Sequence, residues 1–547
     1  MNIGVCAAAL SCSAALAAGL AGTQVVSGDR DAGQFQEIFG PPVELLLPGQ
    51  TPEQIEAAEA AARCDTIDFL ECHKAPESAT AMAGEVYALP APTGDPAKDL
   101  ATLQAAVKNK RYGVIDGAAG GKRQVYTIRG MLEINRTLAI RNLELKQLDD
   151  DKVVRTIYAA GGGTPITLRL ENIKIERGPK DSEATGSVSD SAGIWTTDVT
   201  PEFRNIEITG GGKGDGIIVV NSTGGYLTDI YVHDITWTPY AEDQADPEFW
   251  KNYTLATLQR KGDWNGFTIT DFDGRTMAKK RVEEQIYGIV LANVTNLDVI
   301  RPRIERLLTR FSDGMLYPYQ SDGITVNSGN DIRIVDAKIT HVAEGIDVPG
   351  FPANGIEISG AMVSDAPLFC FKTRGSYDSR SVAVKEEDAH VTVRDSTGTR
   401  CGMAAYSVGA GAQAWLEDTQ AIDTGLGPGG TAAPGIGTVA AYRFFRSTSL
   451  PNLQAGSSTM GMRITGATVS NPNSTVMKAA FHSENDPKDR RTFAMASNFA
   501  LNNPARADVE VARNFTVVDA GAGTGARARV VTQPEAVAKP TEVAANP

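Results

Sequence analysis

Gly193-Ile194-Trp195, Gly216-Ile217-Ile218, Gly288-Ile289-Val290, Gly323-Ile324-Thr325 and Gly345-Ile346-Asp347 repeat one phrase along the middle of the chain. The steps from 193 to 216 and from 323 to 345 are single periods. Those from 216 to 288 and from 288 to 323 are longer, as if loops had been inserted. Around the copies, apolar and polar residues alternate, as in Asn205-Ile206-Glu207-Ile208 and Arg333-Ile334-Val335-Asp336. Alternation marks a strand with one buried face. A strand-turn-strand unit repeated at this spacing is a coil stacked on itself. Solenoids grow by adding rungs, so one elongated domain is expected despite a length of 547 residues.

The rest of the chain frames that repeat. Met1 to about Ala21 resembles the apolar core and small-residue exit of an export signal, although no Lys or Arg precedes it. The expected location is therefore extracytoplasmic: periplasmic, outer-surface or secreted. Cys12 is a weak lipid-attachment candidate. Residues 22–92 read as an N-terminal appendage or linker. Residues 93–521 read as the domain of stacked coils with an insertion at 237–286, and residues 522–547 as a disordered tail. A helix with Leu100, Leu103 and Val107 on one face is expected to cap the open end of the stack. Beyond the signal no stretch is long and apolar enough to span a bilayer. Outside it, Cys64, Cys72, Cys370 and Cys401 are either two bridges, Cys64–Cys72 and Cys370–Cys401, or four buried thiols. The formal charge of -14 argues against a nucleic-acid partner, whose phosphates need a basic face.

Laying the copies over one another puts Ile230, Val299 and Ile334 in an inward row. Asn221 and Asn293 stack at a turn, with Asn327 one place earlier, where amides can pass hydrogen bonds from rung to rung. Asp234, Arg303 and Lys338 fall in an outward charge row.

These features resemble the pectin-lyase-like superfamily. The resemblance rests on the entry pattern from Asp95 through Asp99-Leu100 to Leu103-Gln104-Ala105-Ala106, on the Gly-Ile rungs and on the Asn rows. It implies an all-β, right-handed parallel β-helix over roughly residues 95–475. It also implies a polysaccharide partner, since that superfamily holds lyases, glycoside hydrolases, uronan epimerases, tailspikes and adhesins. It names no reaction. The hydrolase pattern of Asp pairs with Gly-His-Gly is absent. Asp486-Pro487-Lys488-Asp489 resembles the epimerase motif with lysine in place of histidine.

Candidate chemistry sits just before the rung glycines, at Ala192, Asp215, Tyr287, Asp322 and Glu344. If the coils lie in register, these residues share a stripe. Carboxylates one or two rungs apart are then spaced as glycosidase acids are. Asp322 and Glu344 are the first catalytic candidates, followed by Asp215 and by His341 as a base. The same row would accept Ca²⁺; no cofactor is otherwise indicated. Trp237, Trp250, Trp264, Tyr317 and Tyr319 are the candidate sugar-stacking residues, with the alternative that they form the core of their own insertions. Arg301 and Arg303 are candidate carboxylate clamps. Lys372 and Arg374 are candidate proton acceptors on a uronic-acid sugar. The expected protein is an exported depolymerase, lyase or hydrolase. The alternatives are a C5-epimerase-like enzyme and a non-catalytic carbohydrate-binding adhesin or spike.

Overall fold

A computed structural model describes residues 69–72, 82–148, 155–178, 191–211, 214–237, 286–319, 321–349, 353–373, 389–409, 412–430, 439–445, 460–471, 473–484, 492–502, 510–513 and 515–520. They form a parallel β-helix. One coil shows the plan: Glu344–Val348, Ala353–Ser359 and Met362–Ala366 run in succession. Each pairs in parallel with its counterpart in the next coil, Phe369–Thr373, Val391–Arg394 and Thr397–Cys401. The coils continue to Thr516–Ala520. Among the described pairings only two short hairpins are antiparallel, at Ala118–Ala119 and at Leu316–Tyr317.

The Gly-Ile phrases stack as expected. Ile157, Ile194, Ile217, Ile289, Ile324 and Ile346 form one buried row, each the register partner of the next. Burying each such side chain contributes about 1.5–3 kcal/mol. The glycine is needed because the coil wall is close there. A Cβ on Gly323 would lie 2.6 Å from Ile339 Cγ2 and 2.6 Å from the Gly345 carbonyl oxygen. Past Gly345 the same column becomes Cys370-Phe371, Ala405-Tyr406, Ala441-Tyr442 and Ala480-Phe481. Phe371, Tyr406, Tyr442 and Phe481 stack inside the coil with ring centroids 4.8, 4.9 and 5.3 Å apart.

Each coil turns through a left-handed corner. One corner column runs Asn142, Asn172, Asn205, Asp229, Arg301, Asp336, Gly360, Asp395, Asp418, Gly466, Asn498, with φ between 50° and 74°. Asn, Asp and Gly are the residues that adopt this region most readily, so the column explains their recurrence. Asparagines stacked there pass amide hydrogen bonds: Asn172 donates to Asn142 at 3.1 Å and Asn205 to Asn172 at 2.7 Å. At another corner Asn293 donates to Asn221 at 2.8 Å, as expected, while Asn327 is the extra residue of a register shift.

The helix Pro96–Lys108 starts at Asp95, whose carboxylate caps the amides of Ala97 and Lys98. Its buried Leu103, Ala106 and Val107 pack over the first coils. The strand Glu85–Ala88 lies before it and pairs with Tyr112–Asp116. Cys370 and Cys401 are joined by a disulfide inside the coil; Cys64 lies outside the described residues.

Candidate functional site

Two outward columns run side by side across the coils. The first holds Arg155, Ala192, Asp215, Tyr287, Asp322, Glu344, Phe369 and Ala404. The second, three residues further along each strand, holds Tyr158, Trp195, Ile218, Val290, Thr325, Asp347, Lys372, Ser407, Arg443 and His482. The expected stripe thus exists, and its mate carries the residues that complete it. The two columns meet at Asp322 and Thr325, where the threonine hydroxyl donates to Asp322 Oδ2 at 3.1 Å.

Asp322, Glu344 and Asp347 gather there, with one carboxylate oxygen of each within 4.8 Å of the others. All three are buried, at 1%, 2% and 4% exposure. Lys372, one coil on, pairs with Glu344 in a close contact and reaches Asp347 Oδ2 at 3.6 Å. Asp322 Oδ1 and Asp347 Oδ1 are buried with no hydrogen-bond partner among the described residues. Burial holds the Asp322 carboxyl well above the usual carboxylate range, and the neighbouring charges of Glu344 and Asp347 push it further; Lys372 and the Thr325 hydroxyl oppose this. The surroundings of Asp322 therefore favour its protonated form. The remaining two acids share the lysine.

One oxygen from each of the three carboxylates could reach a common cation, but as the side chains stand Lys372 takes that place, its ammonium in contact with both Glu344 and Asp347.

Asp215 lies in the same column with Tyr287 between it and Asp322. Its carboxylate accepts the Tyr287 amide at 2.8 Å, and burial raises its pKa well above the ordinary value against the pull of that bond and of Arg177. It adjoins the cluster without joining it.

The other candidates lie elsewhere. His341 is a left-handed corner residue, φ 53°, between Arg306 and Asp365 in its column. Burial lowers its pKa, and the charges acting on it, Asp365, Arg306, Glu305 and Arg400, all belong to that flank. It is not the base of the acid cluster. Arg301 is likewise a corner residue, and its guanidinium is bidentate to Asp229 at 2.8 and 2.9 Å, which holds it in place and offsets the backbone strain. Arg303 is bonded to Glu305 and lies over the Tyr231 ring, with Lys338 as its register mate. Asp234 pairs with Arg306 instead, so the expected charge row is displaced by three residues. Tyr317 and Tyr319 are buried with Phe311 in the main hydrophobic core. Trp250, Trp264, Arg374 and the Asp486–Asp489 motif lie outside the described residues, as does the side chain of Trp237.

Asp347 was legible but unassigned: it ends the phrase Gly345-Ile346-Asp347. Trp195, at the end of the first such phrase, is its column mate four coils back.

No family model and no curated protein matches the chain. Solved structures similar to it include the A-module of the Azotobacter vinelandii mannuronan C-5 epimerase AlgE4, at 13% identity over 78% of this chain and 95% of that one, TM-score 0.45. An alginate lyase from Paenibacillus sp. str. FPU-7 matches at 13% identity over 79% and 98%, TM-score 0.34. An endo-xylogalacturonan hydrolase from Aspergillus tubingensis matches at 10% identity over 81% and 100%, TM-score 0.31. Identity this low leaves the chemistry to be argued from this chain's own side chains.

Proposed function

We propose that the protein is an extracytoplasmic polysaccharide-active enzyme, a glycoside hydrolase whose acid is Asp322. The observation that carries this is the buried cluster of Asp322, Glu344 and Asp347, in which Glu344 and Asp347 share Lys372 and burial favours the protonated form of Asp322. Glycoside hydrolysis needs two carboxyl groups in opposite states, and environment sets those states. Asp322 donates its proton to the glycosidic oxygen as the bond to the anomeric carbon breaks. Asp347, whose Oδ1 is unpartnered among the described residues, attacks that carbon. Water then adds to the carbon, its proton returns to Asp322, and Asp347 leaves. Glu344 and Lys372 fix the Asp347 carboxylate. Oxygens within 4.8 Å of one another match the short spacing of retaining enzymes rather than the gap that inverting enzymes leave for water.

Elimination, by contrast, needs a base at the sugar C5. Lys372 is held by two carboxylates, burial pushes the Tyr287 hydroxyl well above its ordinary pKa, and His341 is on another flank. The geometry therefore favours hydrolysis over lyase or epimerase chemistry. The disulfide Cys370–Cys401 supports an oxidising, extracytoplasmic setting. Among the described residues no helix is long and apolar enough to cross a membrane.

A second reading, a non-catalytic carbohydrate-binding solenoid, draws on the burial of the acids. Incubation with a panel of neutral and acidic polysaccharides separates the cases. New reducing ends without an unsaturated, ultraviolet-absorbing product are expected. Unsaturated ends would overturn the hydrolase reading, and binding without cleavage would favour the module.

A further inference from the structure

The two columns that carry the acids begin, several coils earlier, with a different group of side chains. Tyr158 and Trp195 are register partners on adjacent coils. The Arg155 guanidinium stands 4.7 Å from the centre of the Tyr158 ring and 4.0 Å from that of Trp195. All three side chains are only half-buried, unlike the acids. The Trp195 indole N–H donates to Thr197 Oγ1 at 3.1 Å, which fixes the ring's tilt. Trp195 packs against Ala192, Ile218, Tyr287 and Val290, an apolar patch separate from the main core. That patch occupies the coils between Trp195 and Asp322 in the same two columns.

We propose that Tyr158, Trp195 and Arg155 form a sugar-binding platform remote from the point of cleavage, a proposal that rests on the hydrolase reading for its placement on a substrate path. The guanidinium lies over both rings, so a pyranose packs its C–H face on the ring surface that Arg155 leaves uncovered and meets the guanidinium donors, through hydroxyl or carboxylate, at its edge. Trp195 is three coils from Thr325, which touches Asp322. At the interstrand spacing this is roughly 14 Å. The spacing of coils is close to the length of one sugar unit, so a polymer laid along the columns reaches the platform only when it is several units long. A partly exposed aromatic pair at one end and an acid cluster further along the same line suit an enzyme that grips the interior of a long chain.

The test uses the full-length protein carrying Asp322→Asn, to prevent turnover, with and without Trp195→Ala or Trp195→Tyr. Binding of oligosaccharides of increasing length, neutral and carboxylated, is followed by calorimetry. With Trp195→Ala, affinity for the long oligosaccharides is expected to fall about tenfold, while the short ones are unaffected and Trp195→Tyr retains most of the binding. Arg155→Gln weakens the carboxylated series selectively if the guanidinium reads acid groups, and both series equally if it reads hydroxyls. Equal loss at every length, no loss at any, or no binding to any polymer overturns the platform. Cleavage assays on the unsubstituted protein decide the hydrolase reading separately: length-dependent binding without cleavage sinks that reading and leaves the platform standing.

Discussion

The coils up to Gly345 and the coils after it solve one packing problem in opposite ways. In the earlier region the column beside the core is glycine, and the branched side chains of Val232, Ile304, Ile339 and Val363 press into the space a Cβ would take. In the later region the column is Cys370, Ala405, Ala441 and Ala480, and the gap has moved across the coil: a Cβ on Gly398 would fall 2.9 Å from Ala405 Cβ and 3.0 Å from Cys401 Sγ. The inner row changes with it, from isoleucine to stacked aromatic rings. Total volume is what the coil conserves, because interiors are close-packed. The residue that supplies it is free to change, so the sequence repeat fades while the structure continues.

This comparison can be broken experimentally. Tyr442 lies between Tyr406 and Phe481, and its hydroxyl is 3.0 Å from Thr419 Oγ1 and donates to the Thr419 carbonyl at 3.2 Å. Tyr442→Ala is expected to destabilise by about 3–5 kcal/mol, read by chemical denaturation; a loss below 1 kcal/mol would mean the aromatic stack is not the core of that region. Removing the Cys370–Cys401 bridge, as the double alanine variant, should cost about 2–4 kcal/mol and lower the melting temperature. Gly323→Ala forces a methyl against Ile339 and the next backbone and should cost about 1–3 kcal/mol. Ala441→Gly, at the same column in the later region, should cost about 0.5–1 kcal/mol. Equal effects at the two sites would erase the distinction drawn above.

What the sequence disclosed follows from the same contrast. The Gly-Ile phrases were legible because glycine was under steric compulsion at each, and the stripe of Asp215, Tyr287, Asp322 and Glu344 came with them. Past Gly345 the signal weakened because Ala-Tyr carries no such signature. The overlay also failed locally. Asp229-Ile230 and Asp298-Val299 look alike, yet Asp229 is a corner residue with φ 53° and Asp298 is an in-strand partner of Arg333. Val299 in fact stacks on Leu227, not Ile230. The corners reuse Asp and Asn, so an Asp followed by an apolar residue marks two places in a coil, three residues apart. That ambiguity drew Arg301 and Arg303 toward functional roles, whereas Arg301 is a corner residue paired with Asp229 and Arg303 is paired with Glu305. Lys372 was noticed as a base, but its pairing with Glu344 depends on the register between adjacent coils, which the repeat alone did not specify.

The acid cluster is tested most directly by Asp322→Asn, measured for both cleavage and thermal stability across pH. The folded carboxyl titrates well above the unfolded value of about 3.9, so the stability it contributes is complete below that pH and is lost as pH rises toward the folded value. Asparagine escapes that loss. The account predicts that the variant loses cleavage at every pH while its melting temperature exceeds that of the parent by a margin that widens above about pH 4. Retained cleavage, or a variant that melts below its parent at neutral pH, would contradict it.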